Sequence, residues 1–310
     1  MKKYLKFVIT VFSTAAALLI IVFLAIVGYP KGVFKSSYMS VIADKYRVLQ
    51  NTNEPKIIVL SGSSSAFGLD QNMLEEATGY KVANLGLHAG TGLLFYTELS
   101  KENINEGDIV LLGFEYTWPN NFEKLDQKLI MTGIDNNIDM YKHIPFSYWK
   151  DFIGYLFEFA KTKYSYKGAS GIYSRSSFDD TGQMIIERHY MIDYPNEKDK
   201  WGEVNLTDVH ISERVIDYLS DYKEYVEKRG AKVYFIAPPL LKKAVACDYN
   251  CFNDLIDEEE EIIGIPYISN PQDYFFEDEY MCNTIYHCST SGEKVRTKIL
   301  IEDLKKANIR

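Results

Sequence analysis

Short apolar runs at residues 56–60, 82–85, 108–112 and 233–237 punctuate this chain, each continuous enough to read as a strand buried on both faces. Between them the apolar spacing changes to a helical period. Asp70 is placed to cap a helix over 71–77 that Gly79 closes, and residues 93–103 read as a second helix. Ile211, Val215, Tyr218, Leu219, Tyr222 and Val226 make one stripe of a helix over 211–229, closed by Gly230. Pro238 and Pro239 end the strand before them by removing two ladder donors, and residues 265–268 read as a last short strand. Thr290-Ser291-Gly292-Glu293 has the form of a capping box and opens a final helix, with Val295, Ile299 and Leu300 towards the sheet. Strands alternating with helices predict a parallel, layered α/β sheet.

Two stretches depart from that rhythm. Lys2, Lys3 and Lys6 precede an uncharged run over residues 7–30, longer than the ~20 residues needed to cross a bilayer and longer than the apolar core of a cleaved signal peptide. The expectation is a membrane anchor over 1–30 with a cytoplasmic N-terminus, a stalk or first helix over 31–54, and an extracytoplasmic α/β domain over 55–310. Residues 118–209 form a mainly helical insertion over the sheet. Within it Trp149, Phe152, Ile153, Leu156, Phe157 and Ala160 share one stripe of a helix that is apolar nearly all round, which predicts burial; residues 165–182 read as an irregular loop.

Composition changes the picture in two ways. The 310 residues carry a formal charge of -9 with no basic stripe, which argues against nucleic acid as a partner. Four cysteines sit in the last quarter; outside the cytoplasm they read as two disulfides with three possible pairings, the local loops Cys247–Cys251 and Cys282–Cys288 first. Zinc at Cys282, His287 and Cys288 is the rival, but the spacing is not that of C-x2-C pairs. The acidic run 257–261 reads as a solvated helix face.

The chemistry-bearing residues lie in the loops that end the strands. Gly62-Ser63-Ser64 follows the first strand, Asn84-Leu85-Gly86 the second, Gly113-Phe114-Glu115 the third, and Tyr286-His287 precedes the final helix. In this order they resemble the blocks of the SGNH (GDSL-type) hydrolase superfamily, over roughly residues 55–116 and from 232 onward. The resemblance implies a flavodoxin-like sheet sandwiched by helices, Ser64 as nucleophile, His287 as its base, and the N–H groups of Ser64 and Gly86 as oxyanion donors. It departs from the family at Glu115, where the third block carries an oxyanion-stabilising asparagine, and at Thr284, where the last block carries an aspartate; Asn283 is then the candidate to orient His287.

With a single N-terminal anchor, the chain further resembles envelope-polymer acyl-transfer proteins of the D-alanyl-transfer and alginate O-acetylation types, which work beside a membrane-bound O-acyltransferase. The implied activity is that of a serine esterase or O-acyltransferase on acyl groups of an envelope polysaccharide or related polymer, with no metal or organic cofactor. The alternative is a non-catalytic binding or scaffold module in an envelope-polymer assembly, motivated by Glu115 and the missing aspartate.

Overall fold

The computed structural model describes residues 2–192, 194, 196, 200, 202–207 and 209–309. The chain opens with helix α1 (Lys2–Gly28), whose mean hydropathy of 2.7 and length suffice to cross a membrane, and whose apolar side chains are exposed almost throughout. It continues through α2 (Val41–Asn51), β1 (Lys56–Ser61), α3 (Ser63–Gly68), α4 (Gln71–Thr78), β2 (Lys81–Asn84), α5 (Leu93–Ser100) and β3 (Ile109–Gly113). The insertion supplies α6 (Gln127–Ile134) and α7 (Trp149–Ser165). Then come α8 (Glu213–Glu227), β4 (Lys232–Phe235), β5 (Leu240–Leu241), α9 (Asn250–Ile263), β6 (Phe275–Phe276) and α10 (Thr290–Lys306).

The main sheet has the order β2-β1-β3-β4, parallel throughout, and β5 and β6 form a separate parallel pair. Alternation across the pleat divides the core. Ile58, Leu60, Val110 and Leu112 face a large cluster with residues of α2, α5 and α8, whereas Ile57, Val59, Ile109 and Leu111 face Leu74 of α4 and Leu300, Ile301 and Leu304 of α10. The sheet is therefore sandwiched by helices, and the ends of β1, β2 and β3 open at one edge of that sandwich.

The segment over 31–54 contributes α2, whose Val41, Ile42, Tyr46 and Leu49 are buried in the first of these layers. Beneath β1, the buried Lys56 ammonium meets Asp108 Oδ2 at 2.7 Å, while Asp108 also accepts from the backbone N–H groups of Lys56 and Asn105. This pairing leaves neither charge unopposed.

Several local expectations are corrected. Residues 265–268 do not form a full strand: only Tyr267 bridges Phe235, because Pro266 has no N–H to extend the ladder. The cap of α10 is Ser289, whose hydroxyl accepts from the Gly292 N–H, and Glu293 instead pairs with Arg188 at 2.7 Å. Glu259, within the acidic run, is buried and accepts from Trp118 Nε1 and Tyr267 OH; burial pushes its carboxyl up to about 7. Helix α7 buries Phe152, Leu156 and Phe159 but leaves Ile153, Phe157 and Tyr164 exposed.

Among the cysteines, Cys247 and Cys251 are bonded, while Cys282 and Cys288 are buried free thiols. The expected second bridge fails for a geometric reason. Met281 pairs with Cys288 across an antiparallel bridge, so Cys282, one residue on, points to the other side of that extended segment.

The end of α1 is held by the globular part. Lys163 Nζ donates to the carbonyls of Ile26 at 2.8 Å and Val27 at 3.0 Å and pairs with Asp135 at 2.7 Å; Asn136 Nδ2 donates to Val27 O at 2.7 Å. These groups satisfy carbonyls that a helix C-terminus leaves without intrahelical donors.

Asp108→Ala should strand the buried Lys56 charge and cost about 3–5 kcal/mol. Chemical unfolding of the full chain in detergent checks it; a loss below about 1 kcal/mol, the scale of an exposed pair, would mean that Lys56 finds water instead.

Candidate functional site

Short helix α3 begins where β1 leaves the sheet, with Gly62 as its N-cap. A methyl group on Gly62 would run into the Glu115 carboxylate and lie 2.7 Å from Ala89 Cβ, so no larger residue fits this turn as built. Gly86 is required for a similar reason, since its Cβ would run into the Ser65 hydroxyl and lie 2.9 Å from Gly62 O. The strand-end loops thus pack backbone to backbone.

Within that turn the expected nucleophile Ser64 and its neighbour Ser63 face different ways. Ser64 is fully buried: Ser61 donates its hydroxyl proton to Gly113 O at 2.7 Å, so the 2.8 Å contact between the Ser61 and Ser64 hydroxyls is a donation from Ser64. Its side chain lies under the site and does not line it. Ser63, one position earlier, lines a cleft of about 400 Å3 together with His287, Glu115, His88, Tyr38 and Tyr173. A larger hollow of about 490 Å3 adjoins it at Ala89 and is walled by Asn121, Lys124 and Asp126, with neither a candidate nucleophile nor a base. Ser63 and His287 meet in the smaller cleft.

His287 is almost wholly buried and stacks on Phe67, the ring centroids 3.9 Å apart and the planes within 8°. Asn283 Nδ2 donates to Tyr173 OH at 2.9 Å, which turns its carbonyl towards His287; Nδ1–H of the imidazole therefore donates to Asn283 Oδ1 at 2.7 Å. That hydrogen bond sets the tautomer and leaves the lone pair on Nε2. Burial, with the nearby His88 and Arg188 charges, pushes the imidazole down to about 3. It is a neutral ring at ordinary pH.

Both backbone donors expected for an oxyanion already have acceptors. The Ser64 N–H donates to Glu115 Oε1 at 3.1 Å, and the Gly86 N–H to Asn84 Oδ1 at 3.0 Å. Glu115 is buried, which raises its carboxyl above the ordinary range, while the hydrogen bond from the Ser64 backbone opposes that rise. His88 accepts the Gly90 N–H at Nδ1, so its Nε2 carries the proton and is a donor at the cleft wall.

Sequence reasoning did not find Arg296. It is fully buried on α10 and donates from Nη1 to the carbonyls of Ser64 at 3.3 Å and Gly68 at 3.1 Å, holding the far end of α3. Tyr173 and Tyr38 were also missed, since the loop and helix that carry them show no pattern of their own. Tyr38 donates to Leu87 O at 2.6 Å and thereby ties α2's leading turn to the loop after β2.

No family model matches the chain, and no curated protein matches it. Among solved structures, the protein YXIM from Bacillus subtilis aligns with 13% identity and a TM-score of 0.34, over 83% of this chain and 58% of that one. The chain thus spans little more than half of that neighbour's length, and a similarity of this size carries no argument about the site.

Asn283→Asp should move the His287 pKa upward from about 3, because a carboxylate against Nδ1–H favours the imidazolium. NMR titration of the ring reads this directly, and an unmoved pKa would mean that the pair is broken in solution. The same depressed pKa has a sign for stability. An unfolded histidine takes up its proton near 6.5 and the folded one only near 3, so stability is lost as pH falls through that window. His287→Gln should flatten that part of a pH series of unfolding curves; an unchanged slope would assign the acid sensitivity elsewhere.

Proposed function

We propose that this chain is a membrane-anchored, serine-dependent esterase or O-acyltransferase with Ser63 as nucleophile and His287 as base. The observation that carries the reading is the fixed tautomer of His287, whose Nδ1–H is held by Asn283 while ring and Ser63 line one cleft. For the nucleophile we take Ser63 in place of Ser64. Ser63 has no hydrogen-bond partner for its hydroxyl among the described residues and starts α3, whereas the Ser64 hydroxyl is committed beneath the site.

In the first half-reaction Ser63 Oγ attacks an acyl carbonyl as its proton passes to His287 Nε2, giving a tetrahedral oxyanion. Collapse returns that proton to the departing alkoxide and leaves an ester on Ser63. Water or a sugar hydroxyl then attacks that ester by the same path in reverse. Asn283 orients the ring as an aspartate would, but without a negative charge it gives the transient imidazolium little stabilisation. Glu115 governs the Ser64 N–H. Ionised, it holds that donor; protonated, it is itself a hydrogen-bond donor at the cleft. The substrate class we propose is an acylated envelope polysaccharide or related polymer, with the domain extracytoplasmic and a membrane-bound O-acyltransferase as partner; the long apolar α1 and the Cys247–Cys251 disulfide support that placement.

One observation favours a second reading. With the Ser64 and Gly86 donors both engaged and a base of such low pKa, the same cleft also suits a non-catalytic module that binds acyl or sugar groups.

Fluorophosphonate labelling of the full chain, read by intact mass, separates the two. The catalytic reading expects one adduct, retained in Ser64→Ala and lost in Ser63→Ala and His287→Ala. No adduct on folded wild-type protein would overturn it in favour of the binding module. Glu115→Ala, which removes the acceptor and frees the Ser64 N–H, should speed adduct formation by about tenfold or more, on the scale of ~10²–10³ for a single oxyanion donor. An unchanged rate would mean that the carboxylate does not withhold the Ser64 N–H.

A further inference from the structure

Helix α7 crosses the end of α1. Trp149, at its start, packs on Phe23 with ring centroids 5.6 Å apart, while Lys163, near its end, reaches the carbonyls of Ile26 and Val27. Leu19, Ile20 and Phe23 of α1 and Trp149 and Ile153 of α7 wall a shared groove of about 240 Å3. The groove is apolar on both sides. Continuing from it, Ile153, Phe157 and Tyr164 recur at spacings that return to one helical face, and Phe146 precedes them in the turn before α7. Their exposures are 40% for Ile153, 72% for Phe157, 93% for Tyr164 and 91% for Phe146.

We infer that this face is seated in the lipid boundary, so that the globular domain touches the membrane through α7 as well as hanging from α1. The inference rests on α1 spanning the bilayer. If it does, about 20 residues cover the hydrocarbon, so a span beginning at Phe7, after Lys6, ends near Ile26, less than one turn beyond the Phe23 on which Trp149 packs. Phe146, Trp149 and Ile153 then lie at the depth where aromatic side chains are favoured. The charges agree with it. At 3.6 residues per turn, Lys150 borders the apolar face, as does Lys161, which pairs with Glu158 at 2.6 Å, whereas Asp151 and Glu158 lie farther round, so the basic groups are the ones nearest the lipid. Lipid is chosen over a protein partner because the face is continuous with the lipid-exposed side of α1 itself.

The test uses the full chain in phosphatidylcholine–phosphatidylglycerol vesicles, with nitroxide labels on Phe146→Cys, Phe157→Cys, Phe12→Cys and, as an aqueous control, Lys305→Cys. Collision with oxygen and with a water-soluble nickel complex is measured at each position. The expected result is a shift towards oxygen at 146, 157 and 12 relative to 305. Oxygen-rich collision at 12 with water-like values at 146 and 157 would overturn the seating of α7 while leaving the anchor intact. Water-like values at 12 as well would overturn the anchor and the inference with it. Exclusion of both collision partners at 146 and 157 would identify a protein covering the face and would equally overturn the lipid assignment.

Discussion

The site depends on how α3 is held at both ends. A six-residue helix leaves nearly all its terminal N–H and C=O groups without intrahelical partners, so it persists only where tertiary structure supplies them. Glu115, delivered by the end of β3, accepts at the N-terminus; Arg296, delivered by α10, donates to the Ser64 and Gly68 carbonyls. The acid is at the positive end and the base at the negative end of the helix dipole, so both contacts add to the backbone's own field. Because β1 and β3 are buried on both faces, the loop that carries Ser63 is positioned by the rigid centre of the fold.

That clamp also sets a chemical conflict. The N–H that would steady an oxyanion is the one on which Glu115 rests, and an ester carbonyl entering the cleft must compete with a carboxylate already in place. Neutral histidine and buried acid are both consequences of the same desolvation, which disfavours imidazolium and carboxylate alike. In such a cleft neither the base nor the acid readily takes on charge. Any rate it achieves must come from positioning and from rearrangement of Glu115 more than from base strength.

The layers of the fold were legible because they follow from local pattern: β1 to β4 are apolar runs, Asp70 caps α4 through the Met73 N–H, and Gly79 closes that helix in the left-handed region. What local pattern could not show was the fate of charges and hydroxyls that long-range partners bury. Arg296 and Glu259 look like surface residues of charged helices until α3, Trp118 and Tyr267 are brought against them. Ser63 and Ser64 are adjacent and chemically alike; only the rotation of α3's first turn decides which faces the cleft. His287 and Asn283 were legible as a pair because they lie four residues apart in one loop, but the stacking of the ring on Phe67 required the whole fold.

A final constraint joins the cleft to the N-terminal helix. Were α1 followed by a free linker, the domain would sample every orientation and its cleft would have no fixed relation to the membrane. Instead Lys163 and Asn136 bind the last carbonyls of α1, Asp135 balances the lysine, and Phe23 packs on Tyr141 at 5.2 Å, so α1 and the insertion meet through both polar and aromatic contacts. α2 follows within thirteen residues and packs against the sheet through Lys45, which donates to Asn84 O beside the site. The path from α1 to the strand-end loops is thus made of buried and half-buried contacts. A helix held in this way fixes the direction of α1 relative to those loops and to the cleft that they wall.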